Sequence, residues 1–113
     1  MKLEFLARFN TWLADCQNIV DRYYLNSYGG RLESPQLVAE QLNKRVRIWA
    51  TRREVIREGG EDRGSCWAFV DLETGDIFKP ATWRAPAKHA RGNIFDEGRG
   101  LTQISAFGPK YLK

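Results

Sequence analysis

No run of about eighteen apolar residues occurs in the chain, so a membrane-spanning helix is excluded on length alone. Met1-Lys2-Leu3-Glu4 also lacks the basic-then-apolar plan of a secretory signal, and the expectation is a soluble protein working in the cytoplasm. Cysteine is scarce. Cys16 and Cys66 are too few for a disulfide framework and lack the paired spacing of a zinc site, so both read as small buried side chains. Histidine is scarcer still, with His89 alone. A nucleophilic triad would have to be assembled on it from Ser65, Ser105, Cys16 or Cys66, and none of these sits in a recognisable elbow. No phosphate-binding loop or dinucleotide fingerprint is present. The oxygen-bearing set Asp71, Glu73 and Asp76 is better explained as a hairpin turn than as a metal site. These absences predict a protein that is not an enzyme and needs neither metal nor cofactor.

What is present suits one folded unit. The chain has 113 residues, 42% hydrophobic and 28% charged, which predicts a single domain over 1–113. From Leu3 to Tyr24, Leu6, Phe9, Trp12 or Leu13, Cys16, Ile19 or Val20, and Tyr23 recur at three- and four-residue intervals, the period of one long amphipathic helix. Gly29-Gly30 ends it. Ser34-Pro35 reads as an N-cap with proline in the first turn, and Leu37, Val38 and Leu42 suggest a short second helix near 35–43.

At Val46 the period changes to two. Val46, Ile48 and Ala50 alternate with Arg47, Trp49 and Thr51, a strand that, if regular to Arg57, would project Arg53 from the face of Arg47 and Trp49. The glycine-rich 59–64 segment is a turn, Ser65–Asp71 is a strand rich in β-branched and aromatic residues, and Glu73-Thr74-Gly75 turns into a third strand, Asp76–Lys79, closed by Pro80. The fold class predicted is α+β: the long helix and short second helix packed on a three-stranded antiparallel meander, followed by an irregular C-terminal segment. Phe5, Phe9, Trp12 and Tyr24 exceed what three strands would cover, which suggests a homodimer through the N-terminal helix.

Charge is unevenly distributed. Residues 44–57 and 77–95 hold ten of the eighteen lysines and arginines and one of the fourteen acids, and 77–95 has no acid at all. If the two segments meet in space, they present a field of one sign that favours an anionic partner. The richest stretch is 75–94. Trp83 offers an aromatic face beside Arg84, a side chain suited to bidentate phosphate contacts, and Lys79, Lys88, His89, Arg91 and Asn93 supply further donors. Arg47, Trp49 and Arg53 repeat the combination on the first strand. The reading is a nucleic-acid surface, single-stranded and with little sequence preference, in which bases stack on tryptophan while cations meet phosphates. Sequestration of a nucleotide is an alternative. The competing structural reading has Trp83 packing over a sheet edge and Arg91 capping carbonyls or pairing with Asp96.

The wording of residues 66–95, CWAFVDLETGDIFKPATWRAPAKHARGNIF, together with the ending Gly108-Pro-Lys-Tyr-Leu-Lys113, resembles a group of small proteins encoded by tailed bacteriophages. The likeness covers roughly the last half of the chain. It implies a phage product working in the host bacterial cytoplasm, and it carries over no catalytic residue. It also implies a second class of partner, an acidic host protein such as a defence or replication factor, which a basic tryptophan-bearing loop could bind and inhibit.

Overall fold

Residues 2–111 are described by the computed structural model of the chain. Helix α1 spans Leu3–Tyr28, four residues beyond the predicted stripe, and stops where Gly29 turns left-handed at φ 59° and returns its N–H to Leu25. Only glycine enters that conformation without a steric penalty. Phe5, Phe9, Trp12, Cys16 and Val20 form the buried stripe and sit on one face of a five-stranded antiparallel sheet. Its strands are β1 (Gln36–Gln41), β2 (Arg45–Thr51), β3 (Ser65–Asp71), β4 (Asp76–Pro80) and β5 (Pro86–Asn93), in that spatial order. Val46, Ile48, Trp67, Ala68, Val70 and Ile77 meet the helix from the sheet side.

Three sequence expectations are corrected. The short second helix at 35–43 is strand β1, paired in continuous register with β2 from Gln36↔Thr51 to Gln41↔Val46. Helix α1 decides the matter: Gln17 accepts from the Leu37 N–H at 2.8 Å and donates to the Pro35 carbonyl at 3.0 Å, while Ser34 bonds Asp21 instead of capping a turn. With its backbone held in this way, Leu37 alone of the strand is buried. Nor does the arginine-bearing strand run to Arg57: β2 ends at Thr51, and Arg53–Arg57 form a single helical turn, α2. Finally, the region after Pro80 is not irregular. It supplies β5, a 3₁₀ turn at Leu101–Gln103, and the two-stranded pair β6 (Ile104–Ser105) and β7 (Gly108–Pro109).

The sheet therefore has five strands where three were predicted. Together with the C-terminal pair, it buries Phe5, Phe9 and Trp12 within one chain, while Tyr24 is only partly covered. The β6–β7 pair packs beside α1, where the Trp67 indole N–H donates to the Ala106 carbonyl at 3.2 Å. Strand β3, the turn and β4 follow the prediction closely. The other face of the sheet carries Arg45, Arg47, Trp49, Phe69 and Phe78, where Arg47 lies opposite Phe69 and Phe69 opposite Phe78.

Candidate nucleic-acid interface

Ten residues were predicted to share one surface, and the fold divides them. Arg47, Trp49, Trp83 and Arg84 come together on the sheet face that α1 does not cover. The turn between β4 and β5 curls back over this face, so that the Trp83 carbonyl accepts a 2.8 Å hydrogen bond from Arg47 Nη1. The Arg47 guanidinium then lies 5.0 Å from the Trp49 ring centre and 5.5 Å from that of Trp83, and Arg84 stacks on Trp83 at 4.8 Å. Trp83 stays half exposed. Its neighbour Trp49 is buried.

Arg47 is not available to an outside anion. Its Nε and Nη2 donate to Glu40 Oε1 at 2.9 and 2.7 Å, the Trp49 indole N–H donates to the same oxygen at 3.0 Å, and Arg63 binds the other carboxylate oxygen. Those donors hold Glu40 far below the usual carboxylate range, at about 2, with the Trp49 hydrogen bond contributing most and those of Arg47 next, against a smaller opposing effect of burial. With helical spacing over 35–43, nothing in the sequence relates Glu40 to Arg47. Read as a strand antiparallel to β2, those residues put Glu40 directly opposite Arg47.

The remaining predicted residues lie elsewhere. Arg53 belongs to α2 and turns toward α1, donating to the Ser34 carbonyl at 2.9 Å and standing 3.6 Å from Asp21, so it does not share the Arg47 face. Asn93 closes the far end of the β4–β5 hairpin, bonding the Thr74 carbonyl, Asp76 and the Phe95 N–H. Lys79 and Arg91 reach the C-terminal segment: Lys79 Nζ lies 3.3 Å from the Pro109 carbonyl, and Arg91 donates to the carbonyls of Lys110 and His89. The carbonyl-capping alternative for Arg91 is thus the observed one. Lys88 and His89 are exposed on β5, an edge strand.

Residues 16–107 match the family of unknown function DUF7717. The chain belongs to that family. No curated protein and no solved structure matches it. The DUF7717 match begins inside α1, spans the whole five-stranded sheet and includes all ten residues above, while Lys110 and Tyr111 fall outside it.

Two further features of this DUF7717 fold bear on binding. A cleft of about 650 Å³ opens beside Trp83 and is also lined by Trp49, Cys66, Arg63, Glu61 and Asp62, with both signs of charge at its rim. The Cys66 thiol there is pushed up to about 11 by burial, so it is not a ready thiolate. Among the described residues, no group of histidine, cysteine and acidic side chains could hold a metal ion. Among the same residues, no helix is long and apolar enough to cross a membrane.

Proposed function

We propose that this protein binds single-stranded nucleic acid along the β5 edge, with Arg84, Lys88 and His89 meeting phosphates and Trp83 offering a stacking surface. One observation carries the reading. Among the described residues, every ion pair engages acids with cations outside 77–95; Lys79, Arg84, Lys88 and Arg91 have no carboxylate within 4.0 Å. The basic segment on the hairpin therefore has no carboxylate beside it, whereas Arg47 and Arg53 are paired with Glu40 and Asp21. A strand edge bearing cations beside a half-exposed indole suits a flexible polyanion better than a duplex groove, since stacking needs splayed bases. The phage kinship implied by the wording of residues 66–95 belongs to the same reading.

The test is a titration of a labelled single-stranded oligonucleotide at several salt concentrations. Micromolar affinity is expected, with log K falling by about 0.7 per phosphate contact for each decade of salt. Arg84→Gln combined with Lys88→Gln should weaken binding about ten-fold, and Trp83→Ala by about five-fold or more. Wild-type protein that shows no salt-dependent binding would sink the reading.

A second reading rests on the mixed-charge cleft beside Trp83. Tryptophan and arginine together are characteristic anchors of protein interfaces, and a rim of both signs suits a polypeptide partner. It predicts that Trp83→Ala weakens capture of one host protein more than Arg84→Lys does, with no oligonucleotide bound.

A further inference from the structure

We infer that Lys79, Arg91 and Tyr111 form a second subsite for the same strand, taking one phosphodiester between the two cations and one base on the open face of the Tyr111 ring. This inference rests on the nucleic-acid reading above and extends the path from Trp83 across the β5 edge to the C-terminal segment.

Backbone geometry aims the first cation. Ile77 pairs with Gly92 and Phe78 with Ala90, so Arg91 is the extra residue of a β-bulge. In regular pairing Arg91 would lie opposite Phe78, on the face away from α1. The bulge sends it instead to the Lys110 carbonyl, next in the chain to the Pro109 carbonyl that Lys79 reaches, and such re-aiming is a known use of bulges near functional sites. Arg91 is nine-tenths buried, yet its contacts are carbonyl oxygens: Nε donates to Lys110 at 3.0 Å and Nη1 to His89. Lys79 is held at the adjacent carbonyl, that of Pro109. Carbonyl dipoles orient a cation without cancelling its charge, and a guanidinium with five N–H groups and an ammonium with three both keep donors free. Two like charges fixed on consecutive carbonyls, with no carboxylate within 4.0 Å among the described residues, call for an anion from outside. Tyr111 completes the set. Lys79 Nζ sits 4.1 Å from its ring centre on one side, and 79% of the residue is open to water. A phosphate contact next to an unoccupied aromatic face is the repeating element of single-strand sites.

The experiment uses the whole chain, a labelled twelve-nucleotide oligo-dT and the variants Lys79→Gln and Tyr111→Ala, each checked for its thermal midpoint. Lys79→Gln should weaken binding several-fold and reduce the salt slope by about 0.7, the share of one phosphate. Tyr111→Ala should weaken binding about five-fold and leave the slope unchanged. If the wild type and the Arg84/Lys88 variant behave as described above while both new variants bind as wild type does, this subsite is wrong and the edge reading stands. A shifted midpoint with unchanged slope and affinity assigns Lys79 a purely structural role and overturns the inference. Should Lys79→Gln fail to fold, Tyr111→Ala decides alone, since its ring is exposed. Thymidine monophosphate competing as well as the oligonucleotide, phosphate for phosphate, would mark a mononucleotide site and overturn the strand path. No binding by the wild type rejects the nucleic-acid reading itself.

Discussion

Trp12→Ala is expected to destabilise the protein by about 4 kcal/mol, lowering its thermal midpoint by about 15 °C or more. Trp12 is fully buried and lies against the Phe9 ring at 5.8 Å and the Trp67 ring at 6.5 Å, at the centre of the seam between α1 and the sheet. Removing it opens a cavity that the neighbouring strands, tied by ladder hydrogen bonds, cannot collapse to fill. Its indole nitrogen also has no hydrogen-bond partner, a buried donor that costs about 1–3 kcal/mol. Trp12→Phe keeps most of the ring and removes that donor, so it should cost less than half as much as the alanine change. Denaturant titration of the two variants checks both statements. Equal losses would show that the retained phenyl ring recovers none of the packing at this seam.

Glu40→Gln is expected to cost about 1–2 kcal/mol at neutral pH and much less near pH 2. The folded-state carboxyl of Glu40 is held at about 2 against an ordinary value of 4.5, and solvent screening at this strand surface reduces the linked stability to about 1–2 kcal/mol. Because the folded value is the lower one, this stability is present above the ordinary value and is lost as the pH falls from about 4.5 through about 2. Glu40→Ala should be worse at neutral pH, since it leaves the Arg47 guanidinium and the Trp49 indole N–H buried without their shared acceptor. Two other carboxylates are also held below their usual values. Glu33 is held below its usual value by hydrogen bonds from Arg57, and Asp71 by the amides of Thr74 and Glu73 against the opposing effect of burial. The measurement is therefore the difference between wild type and Glu40→Gln in unfolding midpoint across pH 7 to 2. A gap that does not close on acidification would show that the Glu40 charge is not what stabilises Arg47.

The Glu40 cluster has a direct functional consequence. A strand face carrying Arg47 beside Trp49 looks, in sequence, like a surface for phosphates and bases. In the folded chain that arginine is an internal strut whose five donors are largely committed to Glu40 and the Trp83 carbonyl. What it provides is position: it fixes the β4–β5 turn over the sheet and so holds Trp83 half exposed next to Arg84. Arg47→Lys would keep the charge and lose the fork geometry that binds both at once.

From the residues alone, α1, the 59–64 turn, strands β2 to β4 and the hairpin at Thr74-Gly75 could be read, because each is set by local period and turn chemistry within a short window. The same window shows that residues 77–95 carry cations without acids, which is a property of composition. Tertiary structure decided the rest. Gln17 holds the backbone at Pro35 and Leu37 extended, Asp21 takes the Ser34 hydroxyl, and together they make β1 out of a segment with helical spacing. Once β1 exists, cross-strand register brings Glu40 to Arg47, and the bulge in β5 turns Arg91 away from the tryptophans. Which cations remain available to a ligand is settled by contacts between residues distant in the chain, and counting charges along the sequence cannot distinguish a neutralised arginine from a free one.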